Sequence, residues 1–113
     1  MDQPSRGSGR GPTVPADPEL IEAFADSRRQ HAIRILRQRG RTTLRELAGA
    51  VVRREGGDPS DETELERASL ALYHAHLPKL AAAAVVEFDP DERWVRYTAT
   101  AEVESAVASL LAV

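Results

Sequence analysis

Thr43-Leu44-Arg45-Glu46-Leu47-Ala48-Gly49-Ala50-Val51-Val52-Arg53-Arg54, residues 43–54, carries the strongest structural signal in the chain. Thr43 with Glu46 three places on is a capping box, in which each side chain bonds the other residue's backbone N–H. Leu44, Leu47, Ala48, Val51 and Val52 recur at helical spacing on one apolar face, and Gly56-Gly57 stops the helix. A helix this short is stable only when that face is packed against something. The flanking sequence supplies the partners.

Downstream, Asp58-Pro59-Ser60 reads as a loop, and Ser60 or Asp61 as the cap of a further helix. Leu65, Leu72, Tyr73, Leu77 and Leu80 form its buried face. Pro78 falls inside this pattern, removes one backbone hydrogen bond and predicts a kink near residues 74–78. Beyond Ala84 the apolar period drops to two. Val86 and Phe88 are answered by Val95 and Tyr97 across Asp89-Pro90-Asp91-Glu92-Arg93, a β-hairpin with a polar tip. A last helix from about Thr100 carries Val103, Val107, Leu110 and Leu111 on one side, facing either its own domain or a second copy.

Upstream, structure starts at Asp17-Pro18-Glu19, where Asp17 caps, Pro18 suits a first turn and Glu19 complements the helix dipole. Leu20, Ile21 and Phe24 begin an apolar stripe that resumes at Ala32, Ile33 and Leu36. The polar stretch between them allows one bent helix or two consecutive ones, and Gly40 ends the run. Residues 1–15, dominated by Gly, Pro and Ser, read as a disordered tail, and residues 16–113 as one domain. Pattern alone reaches a small, mostly helical α+β domain.

Composition narrows the chemistry. The chain has no cysteine, which removes disulfides, thiolate metal sites and a cysteine nucleophile. No apolar run approaches the roughly 18 residues of a membrane span and no signal-peptide core is visible, so a cytoplasmic protein is expected. The net charge of −3 conceals an asymmetry: residues 1–57 carry a balance of +4 and residues 58–113 one of −7. Of the 15 basic residues only Lys79 is lysine, and arginine is the better bidentate phosphate partner.

Leu72-Tyr73-His74-Ala75-His76-Leu77-Pro78-Lys79-Leu80, with the Ala-rich residues and Val85-Val86-Glu87-Phe88-Asp89 that follow, resembles a known junction. It is similar to the end of the recognition helix and the first wing strand of arsenical-repressor-like regulators. More closely, it resembles a family of small winged-helix proteins abundant in halophilic archaea. Members show an Arg-Arg pair in the first helix, a Leu-x-x-Leu-Ala second helix and a His-x-His-Leu-Pro-x-Leu segment. Here these are Arg28-Arg29, Leu44 to Ala48, and His74 to Leu80, and the resemblance spans residues 18–100. It implies a winged helix-turn-helix with three core helices, a β-hairpin wing and a C-terminal helix. It also implies a transcriptional regulator that binds double-stranded DNA, with the terminal helix making a homodimer. The alternative is a winged-helix protein–protein interaction module that does not touch DNA.

The candidate anchor is the arginine set Arg28, Arg29, Arg34, Arg37, Arg39, Arg41, Arg45, Arg53 and Arg54, which could neutralise phosphates without reading sequence. On the resemblance, the start of the second helix and the exposed side of the third face DNA, which selects Arg41, Arg45, Arg67, His74 and Lys79. The bland reading is a solvated surface rich in arginine. Two features oppose DNA. The middle of the third helix, Ala68 to Ala75, lacks the Arg, Asn and Gln that read base edges, and the hairpin tip carries Asp89, Asp91 and Glu92. Ala84 stands where the resembling proteins place glycine, at a cost on the order of 1 kcal/mol if its backbone is left-handed. His74 and His76, two apart on a helix, cannot share a metal ion, and the histidines read as structural. No cofactor is expected. With no catalytic motif or Gly-rich phosphate loop, the chain is expected not to be an enzyme.

Overall fold

The computed structural model describes residues 17–112, so the tail assigned to residues 1–15 lies outside the described residues. Helices α1 (Pro18–Ala23) and α2 (Ser27–Arg39) are separate, which settles the choice that the apolar stripe left open. The cause is a second cap: the Asp26 side chain accepts from the Arg29 backbone N–H and restarts the helix. Strand β1 (Arg41–Thr43) follows, then α3 (Leu44–Arg54), α4 (Glu62–Ala71), a π turn (Leu72–His76) and α5 (Leu77–Ala82). Strands β2 (Val86–Asp89) and β3 (Trp94–Tyr97) form the hairpin, and α6 (Ala101–Leu111) closes the chain.

Local chemistry accounts for each boundary. The Thr43–Glu46 capping box is formed as read from the sequence. At the other end of α3, the Gly57 N–H reaches the Val52 carbonyl and the Gly56 N–H that of Arg53, with Gly56 at a φ of +86°. This is a Schellman motif, and glycine makes it free of steric cost. The same bonds close α5, from Val85 to Leu80 and from Ala84 to Ala81, but Ala84 takes the left-handed position at a φ of +63°. Pro78 sits in the first turn of α5, directly after the π turn. There the Leu77 N–H bonds to the Leu72 carbonyl, one residue further back than in an α-helix. The wider turn lets the helix continue past a proline that would otherwise collide with the preceding turn.

The sheet is antiparallel with strand order β1-β3-β2. Thr42 pairs with Val95, and Val95 with Phe88, so Thr42, Val86, Phe88, Val95 and Tyr97 face the helices. Strand β1 is an addition to the sequence reading, which placed the chain there between two helices. Three residues of alternating burial are too few for a period to show. The core joins Ile33 and Leu36 of α2, Leu47 and Val51 of α3, Leu72 of the π turn, Leu77 and Leu80 of α5, and Val107 of α6. Helices α1 to α5, a hairpin wing with an added edge strand and a C-terminal helix make this a winged-helix fold.

Candidate nucleic-acid interface

The arginines of the first half have divergent fates. Arg29 is buried, with its guanidinium donating to the carbonyls of Ala23 at 3.0 Å and Glu22 at 3.1 Å and lying 3.1 Å from His76 Nδ1. It satisfies the open end of α1 and ties it to the π turn, so its place in the phosphate-binding set is corrected: it cannot reach a phosphate. Arg28 is held by Glu55 through two bonds of 2.7 Å. That bidentate pair keeps the Glu55 carboxyl below its ordinary pKa. The Arg-Arg pair and the His-x-His-Leu-Pro segment thus meet in space, at a structural joint. His76 serves that joint, and burial pulls its pKa below the ordinary histidine value despite the nearby Asp26 carboxylate.

The five residues selected from sequence do not form one cluster. Arg41 lies on the outer sheet face, its guanidinium 4.4 Å from the centre of the Trp94 ring. Arg45 projects from the first turn of α3 and bonds Glu62 at 3.0 and 3.1 Å. Arg67 is exposed on α4 and makes no ion pair among the described residues. His74 is exposed in the π turn, edge-on to Tyr73 at 4.8 Å. Lys79 stands apart. It lines a small cleft with Glu19, Glu22 and Ala23 between α1 and α5, where it bonds Glu22 at 3.0 Å, and neither the Arg41 groove nor the Arg45 groove includes it.

Two grooves organise the remainder. The first runs between the start of α3, α4 and the wing tip and contains Arg45, Glu62, Glu66, Leu70, Glu92 and Arg93. This is the groove of the helix-turn-helix, and carboxylates outnumber guanidiniums in it by three to two. Part of the wing's acidity is structural: Asp89 accepts from the backbone N–H groups of Asp91 and Glu92, both at 3.0 Å, and so closes the tip. Arg93, left-handed at a φ of +59°, lies over the Tyr73 ring at 5.1 Å.

The second groove, between α2, β1 and α3, contains Arg39, Arg41, Arg53 and a single acid, Glu46. The Glu46 carboxylate is occupied, accepting from the Thr42 hydroxyl and the Thr43 N–H, and these bonds lower its pKa. Arg39, Arg41 and Arg53 make no ion pairs among the described residues. The positive surface continues across the sheet, where the Trp94 ring is within reach of both Arg41 and Arg96, the latter 5.9 Å from the ring centre and bonded to Glu87. It also continues around the end of α3 to a cavity holding Arg34, Arg37 and Arg54. Trp94 escaped the sequence reading, because Arg41 reaches its ring only once β1 pairs with β3.

Residues 21–96 match the model of a family described as a domain of unknown function (DUF7344). The chain belongs to this family. The matched span runs from α1 into β3, within the residues 18–100 that carry the resemblance described above, and leaves α6 outside. No curated protein and no solved structure matches the chain. Among the described residues no helix is long and apolar enough to cross a membrane, and no three His, Asp or Glu side chains are grouped as metal ligands. In α6, Val107 is buried in the domain's own core and so is not available to a second copy. Val103, Leu110 and Leu111 are half-buried against that core and keep one edge outward.

Proposed function

We propose that this chain is a non-enzymatic, cytoplasmic winged-helix DNA-binding protein, a transcriptional regulator that holds the duplex mainly by its phosphates. The observation that carries this reading is the convergence of Arg39, Arg41 and Arg53 on one groove without ion pairs among the described residues. Arginine stacked on an aromatic ring, as Arg41 is on Trp94, keeps its donors free while losing conformational freedom in advance. Arg45 is exposed, and its surface pair with Glu62 is of the weak kind that a phosphate can replace. Along α4 and the π turn the outward side chains include Thr63, Glu66, Arg67, Leu70 and His74, so base-edge readout is sparse and backbone contact dominates. A homodimer addressing paired half-sites would use the outward edge of Val103, Leu110 and Leu111.

The test is duplex binding as salt is varied. Three phosphates neutralised by Arg39, Arg41 and Arg53 give a log–log salt slope near roughly −2.7, and each lost contact reduces it by about 0.9. Arg41→Glu is expected to weaken binding to all sequences alike and to flatten the slope. A salt-independent response, no binding at low salt, or an unchanged R41E variant would defeat the proposal.

The first groove favours a second reading, a protein-contact module. Leu70 is 50% exposed there and is framed by Glu62, Glu66 and Glu92, a surface suited to a basic amphipathic segment. Recovery of nucleic acid and no protein partner from native lysate would reject that reading.

A further inference from the structure

The cavity bounded by α2, the last turn of α3 and α6 is lined by Arg34, Arg37, Gln38, Arg54, Tyr97 and Glu104. It is an open, polar cleft of about 460 Å³. Arg34 and Arg37 stand one turn apart on α2, and Arg54 of α3 lines the same space, so three arginines and one carboxylate share it. That carboxylate is gripped as an oxyanion ligand is gripped. Arg37 donates to Glu104 through Nε at 3.2 Å and Nη2 at 2.5 Å, and the Tyr97 hydroxyl donates to it at 2.5 Å. The bonds from Arg37 and Tyr97 hold the Glu104 carboxyl below its ordinary pKa. Arg34 donates to the Leu111 carbonyl, while Arg54 and Gln38 make no side-chain hydrogen bond among the described residues.

We infer that this cavity is a binding site for a small multivalent phosphate, and that Glu104 is its built-in competitor. Arginine forks match carboxylate and phosphate alike, so the contacts that hold Glu104 also suit a phosphoryl group. A phosphate has two advantages over the resident carboxylate: a second negative charge, and oxygens enough to engage Arg54 as well as Arg37 and Tyr97. The site shares no lining residue with the groove that contains Arg39, Arg41 and Arg53.

The experiment is calorimetric titration of the full 113-residue chain with pyrophosphate against chloride at matched ionic strength. Arg54→Gln removes an exposed donor that holds no element in place, and it is expected to weaken binding roughly tenfold or more with the melting temperature unchanged. Glu104→Gln removes the competitor's charge, and it is expected to tighten binding roughly threefold or more. Arg41→Glu separates this site from a duplex anchor: Arg41 does not line the cavity, so pyrophosphate affinity should fall by much less than in R54Q. Wild-type binding no stronger than the chloride control, R54Q binding as well as wild type, or E104Q binding no more tightly would each overturn the inference.

Discussion

Among the described residues, Ala84 occupies the one Schellman position where the left-handed residue carries a side chain, at a φ of +63°. An L-residue there collides with its own carbonyl, at a cost of about 1–2 kcal/mol, and glycine does not. Glycine gives back part of that through its freer unfolded chain, so Ala84→Gly is expected to stabilise the fold by about 0.5–1 kcal/mol. Thermal unfolding should show a rise of roughly 2–8 °C. His76 makes the opposite kind of demand. It is half-buried beside Arg29, with Arg28, Asp26 and Glu55 in its field, and burial lowers its pKa from the ordinary 6.5. A histidine whose folded pKa is depressed contributes stability above the unfolded value, and that stability is lost as the pH falls from 6.5 through the folded pKa. Denaturant unfolding between neutral pH and the carboxylate range should therefore show declining stability. His76→Gln, which keeps an acceptor for Arg29, should flatten that decline, and an unaltered slope would refute the assignment.

The helices are set by their ends more than by their middles. Four of them carry Asp17, Asp26, Thr43 or Asp61 as a side-chain cap, and α6 carries Thr100. In α3 the cap does double duty, because the Leu44 N–H at its start bonds the Arg93 carbonyl of the wing. Thr43→Ala is expected to cost about 1 kcal/mol, read as a lower urea midpoint with an unchanged m-value. These caps were legible from sequence because a cap and its helix lie within one turn of each other. The π turn was legible only as a kink. A proline announces a missing donor, but whether the chain bends or widens depends on the packing of Leu72 and Leu77, both fully buried.

At the scale of the whole molecule, charge is separated in space as it is in sequence, with one correction. The basic half does not coat the helix-turn-helix groove, which is acid-rich, but collects on α2, β1 and the end of α3. Under the proposed function a duplex would meet that face first, which is why salt dependence and R41E are the decisive readouts for DNA. The sequence by itself determined the helix caps, the hairpin and most of each helix's buried face, since these rest on interactions between residues a few positions apart. Ile21 of the first apolar stripe is exposed, and that stripe leaves the break between α1 and α2 open. Only the tertiary structure decided which arginines are free. Arg28 is neutralised by a glutamate 27 residues away, Arg37 by one 67 residues away, and Arg29 is consumed by a helix end and a histidine 47 residues away. A guanidinium's availability depends on what lies within a few ångströms of it, and that is fixed by chain closure over distances that no local pattern records.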